Sequence, residues 1–283
     1  MTSDATTHLR SSTPRRGVSG AIIKAWGGRD LRLRVLAREE VAEDFVRLRV
    51  DVDGLFDRDE LYPTYWLRLW FTTPSGKGHQ RAYTLVDPEP GAGAAWIEFF
   101  LHEGIASNWA RAARAGDEID ATVLNGKNPV ADSPAHLMMV GDGASYPAIA
   151  DTLRRCPEIP ATVLLEQASA GDAAWTLLPE REDLTVRRLP ADGSIVEAAV
   201  DAASSVTEGT RAVVALEGAP TRALSSTLRK QQGMPKESVH ALAYWTRRVA
   251  RGPVPYSSSR SMARPHASRS GDVPVIGGSC RSR

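Results

Sequence analysis

Arg81-Ala82-Tyr83-Thr84 is a stretch whose residue types and spacing could do chemistry. In an extended strand Arg81 and Tyr83 face one side and Thr84 the other. The segment thus offers a guanidinium for phosphate, an aromatic face, and a hydroxyl or backbone amide for an edge hydrogen bond. Those are the groups a bound flavin dinucleotide requires. The same residues also suit an ordinary strand on a barrel surface. Further on, LHEGIAS (101–107) reads as a strand end opening into a helix. Free amides and the helix dipole there suit a pyrophosphate, with Ser107 as an added donor. An ordinary helix cap has the same composition, and His102 fits either a cofactor contact or a histidine at a domain seam.

Two later turns have the composition of strand-end nucleotide crevices. MMVGDGAS (138–145) passes from an apolar run through Gly141, Asp142, Gly143 and Ala144 into a helix, and LEGAPT (216–221) carries Glu217 and Ala219. The first lacks the spacing of a GxGxxG fingerprint, so a tight Rossmann-type NAD site is not indicated. Both also read as plain strand-to-helix turns. HALAYWT (240–246) has strand composition and places Tyr244 and Trp245 next to Arg247 and Arg248. An aromatic there could lie beside a flavin, with the arginines outside to meet an anion, or Trp245 could serve the core. Lys127 and Lys236 are further basic candidates or solvated surface charges.

The elements that must position these residues fall into two groups. LRLRVLAREEVAEDFVRLRVDV, from Leu31, alternates apolar and polar residues with a break at 39–43, the pattern of two half-buried strands. Short aromatic or β-branched runs at 65–71, 81–86, 96–102 and 120–124, bounded by TPSGKG and DPEPGAGA, predict an antiparallel barrel or sandwich with one helix before Gly116. After LNGKNPVADSP (124–134) the pattern changes. The apolar strands HLMMV, ATVLLEQ, LTVRRL and AVVALEG alternate with helical stretches ending near Arg155 and at 194–203 and 219–232, which predicts a doubly wound parallel sheet. The expected division is an arm at 1–28, a barrel domain at 29–130, a nucleotide domain at 135–248 and a Ser/Arg/Pro-rich tail at 249–283, with arm and tail disordered.

Composition narrows the function classes. The chain has 283 residues, 35 Lys+Arg against 34 Asp+Glu, a net charge of +1 and 42% hydrophobic residues. That balance argues against a nucleic-acid binder and supports well-cored domains. Cys156 and Cys280 are far apart with no CxxC, so neither a disulfide framework nor a cysteine-ligated metal centre is supported. With no apolar run of membrane-spanning length and no signal-peptide pattern, a soluble cytoplasmic protein is expected.

RAYTLVDPEPGAG…IEFFLHEGIASNWARAARAGDEI, then HLMMVGDGASYPAIADTL, TVLLEQ and EGAPTRALSSTLRKQQGMPKESVHALAYWT, in that order, resemble the siderophore-interacting protein family of flavin-dependent ferric-siderophore reductases. The branch most similar is the reductase domain fused to mycobacterial siderophore ABC transporters. The resemblance covers roughly residues 30–250. It implies a six-stranded antiparallel FAD-binding barrel followed by a doubly wound nucleotide-binding domain, as in ferredoxin reductases. Tyr83 would pack on the isoalloxazine, Thr84 would bond its edge and Arg81 would hold phosphate. His102, Ala106 and Ser107 would contact the FAD diphosphate. Gly141, Asp142, Ala144, Glu217 and Ala219 would meet the nicotinamide nucleotide, and Trp245 the flavin. Arg247, Arg248 and Lys127 would attract an anionic ferric chelate.

The implied cofactors are FAD and NADPH, with NADH as the other donor. The implied substrate is a ferric siderophore, with neither a catalytic acid–base triad nor a protein metal site. A monomer able to dock on a siderophore ABC transporter is expected. Two other readings are a non-catalytic siderophore- or transporter-binding module and a general NAD(P)H- or ferredoxin-linked flavin reductase. Val86 stands where many relatives carry a second arginine, and LNGKNPV where many have a GPRG-like turn.

Overall fold

The computed structural model describes residues 27–124, 126–167 and 178–246. Most of the expected arm, the tail at 249–283, Asn125, Arg247 and Arg248 lie outside the described residues. Six strands close an antiparallel barrel: β1 (Arg29–Ala42), β2 (Phe45–Asp51), β3 (Trp66–Thr72), β4 (Gly78–Glu89), β5 (Ala94–Phe100) and β6 (Glu118–Val123), in the order β1-β2-β5-β4-β3-β6. Period-two alternation explains the closure. Leu31, Leu33 and Val35 of β1 meet Val46, Leu48 and Val50 of β2 in one apolar core. Arg32 and Arg34 point out and pair across the strands with Asp120 at 2.7 Å and Asp51 at 3.0 Å. A helix, α1 (Ile105–Ala112), adds Ala106, Ala110 and the Trp109 ring to that core.

The second layer is a parallel sheet of β7 (His136–Gly141), β8 (Ala161–Gln167), β9 (Leu184–Pro190), β10 (Thr210–Ala215) and β11 (Val239–Ala241), in the order β11-β10-β7-β8-β9. Its helices are α2 (Tyr146–Arg155), α3 (Ile195–Ala203) and α4 (Gly218–Lys230). Leu137 and Met139 pack with Ile149 and Leu153 of α2. Met138 and Val140 pack with Ile195 and Ala199 of α3 and Leu224 of α4. Both faces of β7 are therefore covered, which is why it reads as an unbroken apolar run. The chain winds outward from β7 through β8 to β9, then returns to β10 on the other side, so the topology switches direction between β7 and β10.

Two expectations change in detail. LTVRRL, expected as a buried strand, forms the edge strand β9, with Arg187 and Arg188 exposed. HALAYWT keeps ladder pairing only through Ala241. Beyond it the Leu242 and Tyr244 amides still donate to the Val214 and Leu216 carbonyls, at 2.9 and 3.0 Å. Barrel and sheet belong to one compact unit. Phe45 and Phe100 of barrel strands pack into the sheet's core, and the Phe45 ring meets Tyr146 edge-on at 6.1 Å.

Candidate functional site

β4 is held on one edge by β3, with Leu69 opposite Arg81, Leu67 opposite Tyr83 and Trp66 opposite Thr84. On its other edge, pairing to β5 begins only at Leu85, opposite Ile97. Arg81–Thr84 thus has an edge with no strand on it, at the place where β5 runs out toward α1. Arg81 is exposed and bonds only its neighbour's carbonyl, Gln80 O, at 2.9 Å among the described residues. The Tyr83 ring stacks at a tilt on Phe99, centroids 4.4 Å apart, and lies 6.3 Å from Phe71. Burial pushes its hydroxyl well above the ordinary phenol range, and the Arg81 charge opposes that shift.

Trp109 touches the same Phe71 and Phe99 rings, at 5.8 and 6.1 Å, and so ties α1 to the RAYT strand. Gly104 opens this helix at φ 141°, a backbone conformation that suits a residue without Cβ. No side chain caps the start, so the first-turn amides keep their donor capacity. Ala106 and Ser107 are buried in that turn. The Ser107 hydroxyl accepts from the His102 amide at 3.2 Å, which shapes the turn before the helix. His102 itself is exposed, with ring Nδ1 2.6 Å from the Glu103 carbonyl.

At the sheet's C-terminal edge, Gly141 is required by space. A Cβ there would lie 2.2 Å from Ser145 Oγ and 2.5 Å from Ile149 Cδ1. The Asp142 carboxylate accepts from the Ala144 amide at 2.9 Å and from Trp245 Nε1 at 2.7 Å. Burial raises its pKa, and these hydrogen bonds resist the rise. Glu217 caps α4, accepting from the Ala219 amide at 2.6 Å, and bridges in parallel to Trp245. Tyr244, one residue before, shares a side-chain hydrogen bond with Thr84 on the barrel. Burial pushes the Tyr244 hydroxyl up to about 12.

Thr84, Tyr244, Trp245, Asp142 and Glu217 therefore form one chain of contacts that joins the open edge of β4 to the strand-end crevice. Lys127 is exposed and borders a cavity of about 230 Å³ between barrel and sheet, with Trp66, Met139, Val213, His240 and Tyr244. The His240 pKa is lowered by burial and by the nearby charges of Arg211 and Lys127. The family resemblance implies Trp245 as the aromatic beside the flavin. The structure puts Tyr244 against the barrel and turns Trp245 to Asp142, with Trp245 40% exposed. Trp66 and His240 had no signal beyond strand composition.

Comparison with known proteins decides the family. Residues 59–129 match the siderophore-interacting FAD-binding domain, and residues 134–248 match the siderophore-interacting protein model. The chain belongs to the siderophore-interacting protein family. Among curated proteins it is 34% identical over 247 residues to the mycobactin import ATP-binding/permease protein IrtA of Mycolicibacterium smegmatis, covering 84% of this chain and 28% of that one. The IrtA of Mycobacterium tuberculosis is 32% identical over 249 residues. The chain thus spans under a third of the length of these relatives. A solved siderophore-interacting protein from Acinetobacter baumannii has a TM-score of 0.66 at 22% identity, covering 79% of this chain and 92% of that one. Ferredoxin-NADP+ reductase from Plasmodium falciparum has a TM-score of 0.58 at 9% identity, covering 76% and 97%. These structures share the barrel-plus-parallel-sheet fold, which is ferredoxin-reductase-like.

For this family the group to be accommodated is FAD, and the donor set fits it. An exposed guanidinium at Arg81, an unpaired strand edge, the buried Thr84 hydroxyl and the uncapped start of α1 offer donors to an anionic dinucleotide. Val86 is fully buried opposite Trp96 and offers no cationic contact. Among the described residues no helix is long and apolar enough to cross a membrane, and no cluster of His, Cys, Asp or Glu could hold a metal ion.

Proposed function

We propose that this chain is a cytoplasmic FAD-dependent ferric-siderophore reductase that draws electrons from a reduced nicotinamide nucleotide, with NADPH the donor implied by family resemblance. FAD, when bound, accepts electrons in pairs from a nicotinamide and delivers them singly to iron(III). The observation that carries the reading is the Thr84–Tyr244 hydrogen bond, which sets the strand edge suited to a flavin against the crevice suited to a nucleotide. Arg81 would hold FAD phosphate, the first turn of α1 with Ser107 would take the diphosphate, and Thr84 would fix the edge of the ring system. Gly141, Asp142 and Ala144 on one turn and Glu217 and Ala219 on the other would shape the nucleotide crevice. Tyr244 and Trp245 would keep water from the space between. Lys127 would supply positive potential for an anionic ferric chelate, to which Arg247 and Arg248 would add. Association with a siderophore transporter follows from the similarity to IrtA.

An anaerobic visible absorption spectrum of the FAD-reconstituted protein, before and after NADPH or NADH and again after a ferric siderophore, tests this directly. Bleaching of the flavin by the nucleotide and recovery with the iron chelate are expected. A protein that never retains FAD refutes the reductase reading and favours a binding module.

A further inference from the structure

Arginines on the barrel strands are neutralised by neighbouring carboxylates: Arg32 by Asp120, Arg34 by Asp51, Arg47 by Glu98 and Arg49 by Glu89. Arg68 of β3 and Arg81 of β4 are the exceptions among the described barrel strands. Arg68 donates from Nη1 to the neutral Gln80 Oε1 at 3.1 Å, and its guanidinium carbon lies 5.3 Å from the centre of the Trp66 ring. Its Nε is buried without a hydrogen-bond partner, and burial with no acid nearby lowers its pKa. Arg81 donates to the backbone oxygen of the same Gln80, at 2.9 Å. One neutral residue thus accepts from two guanidiniums that no carboxylate neutralises, an arrangement that mutual repulsion and desolvation both oppose unless an anion joins them.

The two meet at the open edge of β4. The Leu85 amide donates to the Tyr65 carbonyl on the β3 side. Successive peptide groups of an extended strand alternate edges, so the Ala82 and Thr84 amides and the Gln80 carbonyl point away from β3, to the edge that carries no strand. Continuing the Leu85–Ile97 register sets Tyr83 level with Phe99, in keeping with their stacked rings, and Arg81 level with Leu101. The uncapped first turn of α1 therefore begins on the far side of the gap from Gln80 and Arg81. Ala82, opposite Arg68, is exposed and carries only a methyl, so no bulky side chain of β4 stands between that guanidinium and the gap.

We propose that Arg68 is a further cofactor-binding residue, a second guanidinium for the diphosphate of FAD that approaches from β3 over Ala82. Two cations and a helix start facing one gap suit an anion with more than one charge. The inference rests on the proposed function, which sets FAD along this edge, and extends the phosphate site to a strand outside the RAYT segment.

Titration of the FAD-free full chain with FAD, followed by flavin fluorescence, with inorganic pyrophosphate as competitor, tests the assignment. Arg68→Gln, and Arg68→Met as a second neutral variant, should each weaken FAD by about 10- to 100-fold, the size expected for hydrogen bonds between a guanidinium and a phosphate. Pyrophosphate should compete with FAD in the parent protein, and its inhibition constant should rise by about tenfold or more in both variants. Unchanged FAD affinity in a folded variant overturns the inference and leaves the reductase reading standing. So does a parent protein from which pyrophosphate fails to displace FAD. Weakened FAD with an unmoved pyrophosphate constant also overturns it, since Arg68 would then only prop the strand. A folded parent protein that takes up no FAD removes both.

Discussion

Replacing Glu98 with Gln should make the protein more resistant to unfolding than its parent as pH rises from 5 to 8. Glu98 lies on β5 at the seam between barrel and sheet, 5% exposed, its Oε1 3.0 Å from Arg47 Nε on the neighbouring strand. Arg47 also pairs with Asp87, whose carboxylate accepts from Arg154 Nε of α2 at 2.9 Å and whose amide donates to Asp151 at 2.9 Å. Three carboxylates share this seam. Burial lifts the Glu98 carboxyl from an ordinary value of 4.5 to about 7; Arg47 and Arg154 resist the rise, and Asp87 and Asp151 add to it.

Because the folded pKa lies above the unfolded one, the folded protein holds a proton that the unfolded chain releases. The cost of ionising Glu98 in place is therefore nearly absent below pH 4.5, grows as pH rises, and is complete above about 7. The span between those two values corresponds to about 3 kcal/mol. Between pH 5 and 8 the stability of Glu98→Gln relative to its parent should climb by about 2–3 kcal/mol, with the Arg47 attraction already contained in that balance. Urea unfolding of both proteins at fixed FAD concentration, in steps across this range, reads the difference. Parallel pH profiles would refute the assignment of a protonated Glu98 to the seam.

Gly141→Ala should lower stability by about 1–3 kcal/mol through overpacking, since the new methyl would press on Ser145 and Ile149. Gly91→Ala, where nothing lies within 4 Å, is the control, and equal melting temperatures for the two would count against the close approach. Tyr244→Phe and Thr84→Val each remove one end of the hydrogen bond between sheet and barrel, and a double-mutant cycle should return a coupling of about 1 kcal/mol. Strict additivity would show that the two hydroxyls do not interact.

Patterns of short range were legible in the sequence. Alternation in β1 and β2, the unbroken apolar run of β7 and the Gly-containing turns after β7 and β10 follow from local steric and burial rules that a linear text displays. The strand through RAYT and the turn at GDGAS were legible for the same reason, because each is formed by neighbouring residues. What remained hidden depends on pairing between distant segments. LTVRRL has strand composition wherever it sits, and only the sheet order makes it an edge. Tyr244 and Trp245 are adjacent aromatics, and only the path of the chain beside β10 sends one to Thr84 and the other to Asp142. Glu98 looks like any outward residue of an alternating strand. It becomes a buried acid because α2 packs over that face, and desolvation by a distant element leaves no mark in the residues beside it.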